Sequence, residues 1–218
     1  MYPGIGYDGR VSRSPLVAIV ALLVCGSAAQ AQKDSVVAVG GTFTYLVPAS
    51  DQADLHAGAG VTARLRRGTG LGFVLGFQWF SADVRTDVDG QQVPLGAMTI
   101  RPLMLGVSVG RQFAQFAVSA GLVGGWSFNS IRQTPAQQQV YRDAVGMPDA
   151  EVSVATGWAV RPSVSLWREL GNHFGAFVSA GYIFNRPTVT TRGAGGQWRN
   201  TVNLDASILS FGVAYGIF

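Results

Sequence analysis

The stretch Leu71-Gly72-Phe73-Val74-Leu75-Gly76-Phe77-Gln78-Trp79 puts a large apolar side chain at every odd position, with glycine, valine and glutamine between them. A repeat of two is the repeat of a β-strand, whose successive side chains point to opposite faces. The stretch predicts a strand with one bulky apolar face and one face of mostly small residues. The scheme recurs on both sides of it. Val37, Val39, Phe43, Tyr45 and Val47 alternate with Ala38, Gly40, Thr42 and Thr44. Leu55, Ala57, Ala59, Val61, Ala63 and Leu65 oppose His56, Gly58, Gly60, Thr62 and Arg64. Further along, Phe116, Val118, Leu122, Trp126 and Phe128 form one face, as do Trp158, Val160, Val164 and Leu166. So do Phe174, Val178, Tyr182 and Phe184, and finally Leu209, Phe211, Val213, Tyr215 and Ile217. Leu103, Leu105, Val107 and Val109 fit as well, but Ile100 is out of phase with them. A bulge at Arg101-Pro102 would restore the phase, because proline within a sheet sits at bulges or edges.

These segments give eight strands, over 36–47, 55–66, 71–81, 98–109, 113–128, 152–167, 173–185 and 202–218. The connections between them alternate long and short. An even number of antiparallel strands with short turns at one end and long loops at the other is the plan of a transmembrane β-barrel. The fold class is therefore all-β: an eight-stranded antiparallel transmembrane β-barrel in an up-and-down meander.

Composition agrees. Of 218 residues, 48% are hydrophobic and only 13% charged, against about 25% charged in an ordinary soluble domain. Disorder is excluded by that balance. The longest apolar run, Leu16 to Cys25, is ten residues, half of the about 20 needed for a membrane helix. Arg10 and Arg13 precede it and Ala29-Gln30-Ala31 follows, which reads as a cleaved signal peptide over 1–31. Residues 32–218 are then the outer-membrane barrel domain. The single cysteine, Cys25, leaves with the signal, although Leu22-Leu23-Val24-Cys25 loosely resembles a lipidation site and keeps that alternative open. The mature chain carries 14 basic and 11 acidic residues, without the clustered basic face that nucleic acid requires.

A soluble barrel of lipocalin type would turn its apolar residues inward around a ligand. Two features oppose that. The second face is mostly Gly, Ser, Ala and Thr, which suits a crowded lumen. Tyr45, Trp79, Trp126, Trp158 and Tyr182 fall at the long-loop ends of their strands, and Tyr215 near the other end, as interfacial girdles do. With the signal peptide, eight strands, loop alternation and terminal Phe218, the chain resembles the small eight-stranded outer-membrane β-barrel family, that of OmpX and the membrane domain of OmpA. The resemblance implies a bacterial outer-membrane location. It also implies outer-membrane lipid and lipopolysaccharide as neighbours, and the barrel-assembly machinery, which reads a C-terminal signal ending in Phe218, as a partner. In this family apolar residues usually stand two, four and six before that phenylalanine; here those positions are Gly216, Ala214 and Gly212.

Candidate chemistry is sparse. Gly106-Val107-Ser108-Val109-Gly110 matches the Gly-x-Ser-x-Gly pattern but lacks the following helix its serine needs. The histidines are His56 and His173; His56 near Asp54 is the one weak acid–base pair, and a rim hydrogen bond is the blander reading of it. Eight of the mature acids sit in the long loops, densest at Asp83, Asp87 and Asp89. Calcium or magnesium bridging there is weaker than a solvated loop. No catalytic residue, cofactor or metal is assigned. Arg64, Arg161 and Gln78 point into the lumen, as Arg101 would with the bulge. The two arginines are expected to cross the lumen and fill the space its glycines leave, with Asp205 or Glu169 as the carboxylates within reach. Arg-Pro and Val-Ser-Ala-Gly recur 60 residues apart, at 101 and 118 and again at 161 and 178, as in a repeated hairpin. Pro135 followed by Gln137 to Val145 predicts a short helix in the third long loop.

The expected function is a non-enzymatic outer-membrane barrel whose extracellular loops serve surface interaction or envelope integrity. The extracellular partner is unspecified. A narrow, porin-like channel for small solutes is the first alternative and a lipid-modifying enzyme the second.

Overall fold

The computed structural model describes residues 37–65, 70–88, 91–114, 116–146, 148–171, 173–194 and 196–217. Residues 1–31, read above as a signal peptide and containing Cys25, and Phe218 lie outside them. The elements are β1 (Val37–Pro48), β2 (Ala53–Leu55), β3 (Gly58–Leu65), β4 (Gly70–Val88), β5 (Gln91–Phe113), β6 (Phe116–Arg132), α1 (Pro135–Val145), β7 (Glu151–Val154), β8 (Gly157–Gly171), β9 (Phe174–Asn185), β10 (Thr188–Gly193), β11 (Gly196–Thr201) and β12 (Ala206–Ile217).

Eight of these strands close on themselves. β1 pairs with β3 and with β12, and the ring continues through β4, β5, β6, β8 and β9, every pairing antiparallel. The last strand meets the first from Val37↔Ile217 to Pro48↔Ala206. Closure leaves no free barrel edge, which is what allows strands to cross lipid.

The alternation read from the sequence is the alternation of the walls. Phe43, Leu75, Leu105, Leu122, Val164 and Phe211 are exposed on the outer face, while Ala38, Thr44, Gln78, Ser108, Ser165 and Ser210 are buried. A soluble protein rarely exposes so much contiguous apolar surface; a bilayer covers it.

Four differences from the sequence reading stand out. β4 and β5 extend far past the barrel as a hairpin, and β2 lies alongside it through Ala53↔Val84 and Leu55↔Ala82. The sixth barrel strand starts at Gly157; residues Glu151–Val154 instead join β10 and β11 in a separate three-stranded sheet. The final strand starts at Ala206, and Val202 and Leu204 before it are buried in loop conformation.

The fourth concerns the bulge. Phe77↔Leu103 and Phe80↔Ile100 share one register, so no residue is inserted at Arg101-Pro102. The shift falls between Val84 and Arg85, opposite Pro94 to Gly96, and Gly96 has φ +136°. Glycine adopts that backbone without the penalty a Cβ would bring. Ile100 is out of phase because it truly points inward: it is fully buried, as are Met98 and Met104. The repeated hairpin fails at the same place, since Pro102 points inward where its counterpart Pro162 does not, and Arg161 points inward where Arg101 does not.

The expected helix forms. Thr134 accepts a hydrogen bond from Gln137 N at 3.2 Å and Gln137 Oε1 accepts one from Thr134 N at 2.9 Å, a reciprocal capping box with Pro135 as the first helical residue. Gly146 ends it in the left-handed region. Tyr141 is buried and meets Thr191 Oγ1 at 2.6 Å, which fixes the otherwise largely exposed helix against the small sheet. Thr134→Ala should cost about 1 kcal/mol of local stability, seen as faster amide exchange in the first helical turn with barrel protection unchanged.

Candidate functional site

Two places combine polar chemistry with enclosed space: the lumen and the crown built by the long loops.

The lumen is layered. Nearest the short turns, Trp167 stacks on Phe177 at 4.3 Å between ring centroids, and the Arg64 guanidinium lies 4.6 Å over the Trp167 ring. Arg64 donates from Nη1 to Ser119 Oγ at 2.9 Å and from Nη2 to Ser165 Oγ at 3.0 Å, so it spans from β3 to β6 and β8. The middle layer is hydroxyl-rich. Gln78 Nε2 donates to Thr44 Oγ1 at 3.2 Å, and Thr44 meets Ser210 at 3.1 Å. Arg161 enters this layer from β8, beside Gly76. A cavity of about 30 Å³ remains, lined in part by Arg64, Arg161, Gln78, Ser108 and Ser163. Above it, toward the long loops, Phe80, Met98, Ile100, Ile183 and Ile208 form a buried apolar layer.

Glycines allow the close packing of β5 on β6. A Cβ at Gly106 would lie 2.0 Å from the Leu122 carbonyl oxygen, and one at Gly125 would lie 2.0 Å from that of Leu103.

Arg101 is not a lumen residue. Without the bulge it stays in phase with Leu103 and Leu105 on the outer face, and its Nη2 donates to Ser130 Oγ at 3.1 Å on the adjacent strand. The aromatics stand on the outer face near the strand ends. Trp126 and Trp158 lie 4.7 Å apart and Tyr182 lies 4.7 Å from Phe184, while Tyr45 and Trp79 are exposed. At the short-turn end Tyr215 contacts Phe174 at 5.2 Å.

The crown is tied together by side chains from all four long connections. Asn203 N donates to Gln52 Oε1 at 2.9 Å, Asn200 Nδ2 to Thr86 Oγ1 at 3.0 Å, and Gln133 Nε2 to the Leu95 carbonyl at 2.7 Å. Between the β4–β5 hairpin, α1 and the small sheet lies a cleft of about 400 Å³, lined by Leu95, Tyr141, Val145, Val189, Trp198 and Asn200 among others. That volume falls within the range of small-molecule sites.

At the crown's base Asp205 is buried. Its carboxylate accepts from Asn185 N at 2.9 Å and from Arg186 Nε and Nη2 at 3.0 and 2.7 Å. Those hydrogen bonds, and then the carboxylate's charge, raise the Arg186 guanidinium above its ordinary value. Asp205 thus serves Arg186 and no lumen arginine. Asp205→Ala should leave the buried Asn185 N–H unpaired, at about 1–3 kcal/mol, measured as a lowered urea midpoint.

Ser108 faces the lumen, whereas His56 sits on the long-loop rim and His173 on a short turn, so neither histidine accompanies it. His56 pairs with Asp83 at 3.2 Å, and Asp54 pairs instead with Arg85 at 2.6 Å. Both pairs are exposed. Among the described residues, no three His, Cys, Asp or Glu side chains form a metal-binding group.

The sequence reading missed the Trp167–Phe177 plate and the apolar layer. Both were present in the phase of the pattern: Trp167 follows Ser163 and Ser165 on the inward face, and Phe177 lies between Gly175 and Ser179. The Asp205–Arg186 contact has no such signal, because it joins a loop to a strand end.

Neither a protein-family model nor a curated protein sequence matches the chain. Solved structures do. The outer-membrane protein OprG from Pseudomonas aeruginosa superposes with a TM-score of 0.66 at 13% identity, over 82% of this chain and 94% of OprG. The outer-membrane protein AlkL gives 0.56 at 16% identity, over 87% and 92% of the two chains. Neisserial surface protein A gives 0.51 at 10% identity, over 85% and 100%. With the closed ring of eight strands and its apolar outer wall, these likenesses show that the chain has the small eight-stranded antiparallel β-barrel fold of these outer-membrane proteins.

Proposed function

We propose that the protein is a closed, non-enzymatic anchor that presents a folded crown for contact at the cell surface. One observation supports this reading above the others: the cavity between the lumen arginines is about 30 Å³, whereas the cleft in the crown is about 400 Å³. Eight strands give a barrel whose interior side chains can fill, and here an aromatic plate, a hydroxyl layer and an apolar layer lie in series. A solute would have to displace all three. The crown, by contrast, is held in one shape by inter-loop hydrogen bonds and carries α1 on its surface.

The test is replacement of residues 135–146 by a short glycine–serine linker. The barrel should still fold, read by its β-sheet circular dichroism. Adhesion of cells displaying it to lipopolysaccharide-coated and host-matrix-coated surfaces should fall. Unchanged adhesion together with altered solute uptake would overturn the reading in favour of a channel.

A further inference from the structure

Among the described residues, the middle of the lumen holds two guanidinium groups and no carboxylate. Arg64 is partly satisfied by Ser119, Ser165 and the Trp167 face, but its Nε is buried without a partner. Arg161 forms no side-chain hydrogen bond among the described residues, and its Nε is likewise buried and unpartnered. Among the described residues no ion pair joins either arginine to an acid. Thr42 Oγ1 and Gln78 Oε1, which border the same cavity, are also buried without partners.

The electrostatics of this arrangement are unbalanced. Arginine keeps its proton in proteins, so two positive charges sit within a narrow barrel surrounded by lipid. Burying an uncompensated charge is expensive unless a counter-charge is buried with it. Water in the cavity would offer lone pairs but leave the charge in place. The remaining lining is suited to an anion: Ser108, Ser163, Ser179, Ser210 and Thr42 are hydroxyls that can each turn a proton inward. The side-chain amide of Gln78, whose two ends are interchangeable by a flip, can turn its NH₂ toward the same point.

From these observations we infer that the lumen buries one small inorganic anion of the halide class, held between Arg64 and Arg161. Size makes the selection. A cavity of about 30 Å³ has room for a single water-sized occupant, which excludes phosphate, sulfate and organic acids. The apolar layer lies on one side of it and the Trp167–Phe177 plate on the other, so the ion is held within the lumen as a structural counter-ion.

Bromide is the probe. The full mature chain is refolded from urea into detergent micelles in sodium bromide, and in parallel in sodium isethionate, whose anion exceeds the cavity, at equal ionic strength. Crystals of the bromide-refolded protein should show an anomalous peak within hydrogen-bonding distance of the Arg161 guanidinium. The urea midpoint should be higher in bromide than in isethionate for the native chain, and Arg161→Met should lose both the peak and the bromide-dependent shift. Arg161→Gln, which keeps a hydrogen-bonding head without the charge, repeats the comparison if the methionine variant does not fold. Ordered arginines with no bromide peak between them, a peak at the protein surface alone, or an equal bromide shift in the native and variant chains would each overturn the inference.

Discussion

Leu75→Arg should destabilise the barrel by about 2–4 kcal/mol. Leu75 stands midway along the barrel part of β4, between Ala63 on β3 and Leu105 on β5, and its side chain is exposed on the outer wall. A guanidinium at that depth has no water to face and is too far from either interface to reach it fully. The measurement is the urea or guanidinium unfolding midpoint in lipid vesicles, with Thr62→Ser on the lumen face as a mild control. A Leu75→Arg variant as stable as the native chain would mean that this face meets water and that the barrel is inverted relative to the fold described above.

Ile100→Ala should cost about 2–5 kcal/mol, the range for emptying a filled core position. Ile100 is fully buried within the apolar layer, beside Phe80 across the β4–β5 pairing. Leu105→Ala on the same strand is the informative comparison. Leu105 is 61% exposed, so truncation there leaves no cavity, because lipid chains close over the gap. The ratio of the two effects separates packed interior from lipid-covered wall within one strand. Equal costs would mean that the apolar layer is loosely packed and gives the lumen no seal.

How much of this was legible in sequence depends on what each feature rests on. The walls were, because lipid imposes a period of two on every crossing strand and each bulky odd or even position reports its face. Leu75, Phe43 and Phe211 are examples. Arg101 is misplaced from sequence alone because one out-of-phase isoleucine reads as a register error. The register is continuous, and Ile100 instead marks where the lumen turns from polar to apolar. The crown was mostly illegible. Its small sheet joins β7 to β10 across more than thirty residues, through Val154↔Val189 and its neighbours, and such pairing has no local signal. The helix was an exception, since Thr134, Pro135 and Gln137 encode its start locally. Of the lumen, alternation gave the inward direction of Arg64 and Arg161, but not the partners of their guanidinium groups. Those depend on which strands face each other across the barrel.

The layers also change what the arginines are expected to do. If they alone sealed the lumen, alanine at both positions would open it. With Met98, Ile100, Phe80 and Ile183 stacked above them, that double variant should remain closed. The most direct measurement is therefore single-channel recording of the unmodified, full mature barrel in a planar bilayer, under salt and voltage that resolve small steps. A closed anchor gives a baseline without stable conductance steps. Reproducible ohmic steps from correctly folded protein would contradict it and make the lumen, not the crown, the working part of the molecule.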